Sequence, residues 1–398
     1  MGKSIEAPVE PRLLVWARES AGLERGDVAK RLGVKESVVA AWEEGDTKPT
    51  IAKARAYAKY CKRPLGAFFL PEPPMEPPLP TDFRTLPPGL GEGRARLSRA
   101  LLLAIRKARR LQELAAELAE DTGLEGLLPV PEVSLAEDPE SAAATVRARL
   151  GVSIETQRKW IDSTQALVEW RKVIERTGVL VLQMRDVPVD EARAFALPGP
   201  KLKAIVLNAK DAINARVFSL FHEYGHVALG DMGICDMYER ATVVRQGKRI
   251  EVFCNRLSAA LLVPASEVKP ALARLWEERG STELDDEAID RFAGVFHVSY
   301  EAAITRLATL GFMPRDECDE RLDARRQFWA KQPKTKRKGG PSPALKAVWD
   351  NGYLFTSLAL KSYNRGAITS SELSDYLGAR LKHVDSIEQL LNARLASP

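Results

Sequence analysis

The chain is poor in the residues that bind metals and form cross-links. Only four His and four Cys occur in 398 residues. The cysteines, Cys61, Cys235, Cys254 and Cys318, have no paired spacing. That argues against a disulfide framework and for reduced thiols in the cytoplasm. No apolar run reaches the roughly 18 residues that a membrane span needs. The opening MGKSIEAPVEP has no apolar stretch of the secretory type, and Glu6 breaks the myristoylation pattern. No internal repeat is present. A cytoplasmic protein without a membrane partner is expected.

What remains is ordinary globular material. Hydrophobic residues make up 45% and charged residues 28%, and the formal net charge is +5. That charge permits nucleic-acid contact without demanding it. The length allows two or three domains. The fold class read from the periodicity is α+β and predominantly helical. Short helices with turns at Gly22, Gly33 and Gly45 come first. A proline-rich stretch follows (Pro71-Glu-Pro-Pro-Met-Glu-Pro-Pro-Leu-Pro80), whose prolines exclude helix and ladder. Helical spacing covers 94–121, 140–150 and 164–177. Val179–Met184, Ala194–Leu197 and Ala204–Asn208 read as strands of a small sheet. A helix from Asp211 or Ala212 to Leu229 comes next, ended by Gly230-Asp231. Further helices are expected at 251–262, 269–278, 287–296 and 300–310. The basic run Lys331–Pro341 reads as linker, and the tail from Ala344 is mostly helical.

Two of the four His lie in His222-Glu223-Tyr224-Gly225-His226. On a helix, residues four apart share a face, so both imidazoles can point at one ion. Glu223 is placed to reach a water in an open coordination position, as the base of a hydrolytic zinc site. Two His need a third ligand. Glu251, at the start of an expected helix, is the choice, with Asn255 one turn on and hydrogen-bonding a ligand. Asp231, Asp236, Glu239 and Cys254 compete for the third place. Zinc at such a site lowers the pKa of its water toward about 7 and polarises a carbonyl. Glu223 then moves the proton from the water to the leaving amine. His297, Tyr224 and Tyr238 are candidate oxyanion donors.

Arg216-Val-Phe-Ser-Leu-Phe-His-Glu-Tyr-Gly-His226, followed by Glu251-Val-Phe-Cys-Asn-Arg-Leu-Ser-Ala-Ala-Leu-Leu-Val-Pro264, resembles the ImmA/IrrE family of bacterial metallopeptidases. The likeness spans roughly Val179 to Pro264. Val217-Phe218 and Phe253-Cys254 depart from the family pattern, but neither pair touches the expected ligands. The resemblance implies a zincin-like endopeptidase domain with zinc or manganese. It also implies a regulatory protein as substrate, often a repressor.

Pro11 to Tyr60 has helix-turn-helix rhythm, with helices near 12–21, 25–32 and 35–44, and with Val34, Val38 and Trp42 as core anchors. The run Leu23 to Pro49, with Trp42-Glu43-x-Gly45, resembles the XRE, lambda-repressor-type family. By that match Lys35, Glu36, Ser37 and Ala40 face the DNA groove. Arg25, Lys30, Arg31 and Lys48 are the candidate phosphate contacts. The expected recognition helix has one Lys, three acids and no Arg, Asn or Gln, the types that make most base-edge bonds. Specific DNA binding and protein docking both stay open. A second helix-turn-helix and a helical cap both fit 288–311.

The domains expected are 1–70 (helix-turn-helix), 71–93 (proline-rich linker), 94–314 (metallopeptidase with helical cap), 315–343 (basic linker) and 344–398 (small helical module). The function expected is a zinc endopeptidase that cuts a repressor or antitoxin-like partner in a stress, phage or toxin–antitoxin circuit, with DNA reached through the front module. The rival is a transcriptional regulator or antitoxin whose metal domain senses and cleaves nothing.

Overall fold

A computed structural model describes residues 5–77, 79, 97–124, 126–230, 240–331 and 340–395. Most of the proline-rich stretch lies outside these residues. So do Asp231, Cys235, Asp236, Tyr238, Glu239 and most of the basic run 331–341. Among the described residues, no helix is long and apolar enough to cross a membrane. The chain divides into two compact units, one of residues 1–79 and 86–107, the other of residues 80–85 and 108–398.

The first unit holds α1 (Pro11–Glu19), α2 (Arg25–Leu32), α3 (Glu36–Glu44) and α4 (Ile51–Cys61). The Glu24 amide donates to Asp27 at 3.0 Å and starts α2. Gly33 ends it in the left-handed conformation, at φ +65°. Thr50 caps α4 by accepting from the Lys53 amide. Leu13, Leu14, Val28, Val39, Trp42, Tyr57 and Phe68 form the core. Val39 takes the place expected for Val38, which with Val34 only packs against the core from its edge. The inward face of α3 runs through Val39, Trp42 and Glu43, and Val38 is rotated about 100° from Val39.

The division between the units falls within α5 (Arg99–Thr122). The second unit continues with α6 (Pro139–Leu150), α7 (Ile154–Arg158) and α8 (Ser163–Glu175). Strands β1 (Val179–Met184), β2 (Ala194–Leu197) and β3 (Lys203–Asn208) follow. The sheet order is β1-β3-β2, with β1 parallel and β2 antiparallel to β3. Every residue of β1 is buried, so both of its faces are covered. The chain then enters α9 (Ile213–Leu229), α10 (Arg240–Leu262), α11 (Ala265–Arg279), α12 (Asp286–Phe296) and α13 (Tyr300–Thr309). Phe292, Phe296, Ile304 and Leu307 of α12 and α13 are buried in the same core as α9 and α10. These two helices are a cap on that core.

Two differences from the sequence expectation concern the end of the chain. Residues expected to begin a linker at 315 form α14 (Arg315–Lys331), which buries Cys318 and Leu322 one turn apart. The tail forms α15 (Pro343–Asn351), α16 (Tyr353–Asn364), α17 (Ser370–Leu377) and α18 (Val384–Leu395). These helices belong to the second unit, and α15 and α16 pack on β1. Arg171 on α8 donates to the carbonyls of Val181 (2.7 Å) and Trp349 (3.0 Å). Glu175 accepts from the amides of Val181 (3.2 Å) and Tyr353 (2.9 Å), joining β1 to the start of α16. Gly352 makes this join possible. Its φ is +83°, and a Cβ there would collide with Glu175 and lie 2.8 Å from the Val181 carbonyl.

Candidate metal centre

The helix α9 carries the expected His pair, and nearly all of its last three turns are buried. His222 is 2% exposed, Glu223 2% and His226 6%. Buried imidazoles need partners, because burying an unpaired polar group is costly. The partner helix is α10, which starts at Arg240, so Glu251 lies mid-helix and not at its start. Gly225 lets the two helices approach. A Cβ there would sit 3.1 Å from Cys254 Sγ and 3.3 Å from Leu257 Cδ2. Glycine inside a helix costs about 1 kcal/mol relative to alanine, and here the close approach is what it permits.

The approach brings three ligand atoms together. Glu251 Oε2 lies 3.2 Å from His222 Nε2, and Oε1 lies 3.1 Å from His226 Nε2. The two Nε2 atoms are 3.2 Å apart. Ligands about 2.0–2.1 Å from a tetrahedral ion stand about 3.3 Å from one another, so the spacing fits a small divalent cation. Two imidazoles and a carboxylate are the donor types that suit zinc. Asn255 Oδ1 is 3.1 Å from His222 Nδ1. A proton on Nδ1 donated to this oxygen leaves the Nε2 lone pair facing the other two ligands.

The electrostatics agree with a place made for positive charge. Burial disfavours a charged His226, yet its contacts with Cys254 and Glu251 raise its pKa to about 11. Burial likewise opposes the Glu251 carboxylate, but the bonds from His222 and His226 hold its pKa far below the usual range. Burial pushes the Cys254 thiol up, so it stays protonated beside His226. Cys254, one of the rivals for third ligand, lies beside His226 but outside the three-residue cluster of converging ligand atoms. Its contact with His226 was not foreseen from the sequence.

The proposed oxyanion donors fare differently. Tyr224 is buried and its hydroxyl donates to Thr177 at 3.3 Å, within the core. His297 lies against Trp160, with 6.2 Å between ring centroids. Neither is part of the three-residue cluster.

In the first unit Lys30, Arg31, Lys35, Glu36, Ser37 and Lys48 are exposed, and Ala40 is half-buried. Lys35 directly precedes α3. Arg25 is half-buried and already engaged, through Nε to Glu43 (2.8 Å) and Nη1 to Glu44 (3.1 Å). Glu43 has no exposed side chain, and it also accepts from Arg18 (2.7 Å) and Tyr57 (2.7 Å).

Comparison with known proteins follows the same division. Residues 14–68 match the helix-turn-helix family model. Residues 174–308 match the family described as the IrrE N-terminal-like domain, Peptidase M78. No curated protein matches the chain. Among solved structures, a Mycobacterium tuberculosis transcriptional regulator is similar at 22% identity with a TM-score of 0.31. That match covers 45% of this chain and 48% of the other, so the chain spans about half the length of that structure. The protein therefore joins an XRE-type helix-turn-helix segment to a metallopeptidase domain of the ImmA/IrrE kind.

Proposed function

We propose that the chain is a zinc-dependent endopeptidase, with manganese as the other candidate metal, and that it cleaves a regulatory protein in the cytoplasm. The mutual spacing of His222, His226 and Glu251 carries this reading. The bound metal supplies Lewis acidity and lowers the pKa of a water toward about 7. His222 and His226 offer Nε2 lone pairs, Glu251 offers a carboxylate, and Asn255 holds the His222 tautomer. Glu223 takes a proton from the attacking water and hands it to the departing amine nitrogen. Its burial keeps bulk water from competing for that proton.

The front segment supplies location. Lys30, Arg31, Lys35 and Lys48 offer exposed cations for DNA phosphates, with Arg25 behind them. Glu36, Ser37 and Ala40 complete the groove-facing set. Tethering to DNA, or to a DNA-bound repressor or antitoxin-like partner, raises the local concentration of substrate. A stress, phage or toxin–antitoxin circuit is the setting that fits such a pairing.

The test compares cells carrying wild type and Glu223→Gln. New protein N-termini that appear with wild type and vanish with the variant support the peptidase. A cellular phenotype that survives Glu223→Gln points instead to a regulator whose metal domain senses. Retention on DNA that is lost in Lys35→Ala or Arg31→Ala, and that falls with salt, supports the groove assignment. No retention at low salt makes the front segment a protein dock.

A further inference from the structure

A cavity of about 600 Å³ lies in the second unit, where α9 and α10 meet α13 and the start of α6. Ala215 and Phe218 line it from α9, and Asn255, Arg256 and Ala259 line it from α10. Phe218 is one helical turn before His222, and Asn255 is one turn after Glu251. The cavity adjoins the metal cluster at Asn255, which lines it and whose Oδ1 is 3.1 Å from His222 Nδ1. Its lining mixes apolar side chains, such as Ala215, Phe218 and Leu310, with charged and hydroxyl ones.

The charges along it are mostly spoken for. Arg306 forms a two-pronged ion pair with Glu140 at 2.6 and 2.7 Å and also donates to the Val263 carbonyl. Arg193 is bonded to Asp211, and Glu301 to Arg326. Asp138 caps α6, accepting from the Ser141 amide at 3.1 Å. Arg256 differs. It is exposed, and among the described residues no carboxylate pairs with it. It also stands five residues along α10 from Glu251, about 7.5 Å along the axis and about 140° around it, and its side chain lines the cavity. An extended peptide covers that length in about two residues.

We propose that this cavity receives the substrate chain and that Arg256 selects an Asp or Glu side chain within two residues of the scissile bond. The proposal rests on the peptidase reading and names a substrate class for it. A guanidinium and a carboxylate pair through charge-assisted bonds, in a partly enclosed groove that strengthens them over a free surface pair.

The test uses the full chain loaded with zinc and three hydroxamate probes. Acetohydroxamate reports the metal alone. Two peptide hydroxamates carry either Glu or Lys at one or two residues from the hydroxamate. Calorimetry gives the ratio of the two peptide affinities within each variant. Wild type is expected to favour the Glu probe about tenfold. Arg256→Gln should bring the ratio near unity, and Arg256→Glu should invert it. Equal binding of the two peptides to wild type, or a Glu preference that survives Arg256→Glu, overturns the proposal while leaving the metal centre standing. Failure of acetohydroxamate to bind the zinc-loaded wild type removes the metal centre itself, and the proposal with it.

Discussion

Each unit buries a cluster of ionisable side chains, and the two clusters are closed in opposite ways. In the first, Glu43 is surrounded by donors from the same chain: Arg18, Arg25 and Tyr57. Burial opposes its charge, but those donors still hold its pKa below the usual carboxylate range. Nothing further is needed, so the cluster is structural. In the second, Nε2 of His222, Nε2 of His226 and the Glu251 carboxylate converge on one another at 3.1–3.2 Å. Two imidazoles and a carboxylate at about 3 Å are reconciled by a proton, which His226 holds well above its ordinary pKa, or by a divalent cation in its place. A buried charge cluster closed by fixed charges of the chain marks a scaffold, whereas one closed only by a proton that a metal can replace marks a site.

The comparison can be broken at several points. The largest effect is expected at Glu223. Glu223→Gln should reduce peptide-bond cleavage by about 10²- to 10⁴-fold, read as product formation, while zinc content stays that of wild type. If zinc is lost too, Glu223 belongs to the ligand set and the contrast is drawn in the wrong place.

Next is the closed cluster. Glu43→Ala leaves Arg18 buried without its carboxylate and should destabilise the first unit by about 3–5 kcal/mol. Hydrogen exchange should then rise across α1 to α4 and stay unchanged in α9 and α10. Unchanged exchange in α1 to α4 would mean the network contributes little.

Glu175 lies between the extremes. It is buried and accepts two backbone amides, and burial raises its pKa to about 7 from an ordinary value near 4.5, with Arg171 opposing. The folded state therefore holds this proton more tightly than the unfolded chain does. Its contribution is intact below about pH 4.5 and is lost as pH rises through about 7, by about 3 kcal/mol in all. Urea unfolding at pH 5 and pH 8 should show that fall, and Glu175→Gln should flatten it. A wild-type profile no steeper than the variant's would contradict the assignment.

The smallest effect sharpens the open cluster. Asn255→Ala removes the acceptor for His222 Nδ1 and should weaken zinc binding about 10- to 100-fold, read by competition with a chelator. Unaltered affinity would leave Asn255 as a lining residue of the groove alone.

Much of this was legible in the sequence, because the relevant signals are local. The four-residue spacing of His222 and His226, and of Glu251 and Asn255, is a helical property. The bounds of α2 and β1 also follow from turn glycines and apolar pattern. What stayed hidden depended on distant partners or on weak local signals. Thr242, Val243, Val244 and Gly247 are poor helix formers, yet α10 runs through them from Arg240. In α14 the apolar stripe shrinks to Cys318 and Leu322, so its many charges read as linker. The docking of the tail turns on Glu175 meeting Gly352 and Tyr353, and no periodicity reports a contact of that separation. In the same way Arg256 is one more helix-surface cation until the fold places it on the groove beside Asn255.

The most direct test of the open cluster is elemental analysis of the chain purified without chelators, alongside Glu251→Ala. One zinc or manganese per wild-type chain, and a large loss in the variant, is the expected result. Wild type without a stoichiometric transition metal, or a Glu251→Ala variant that holds its metal undiminished, would contradict the account.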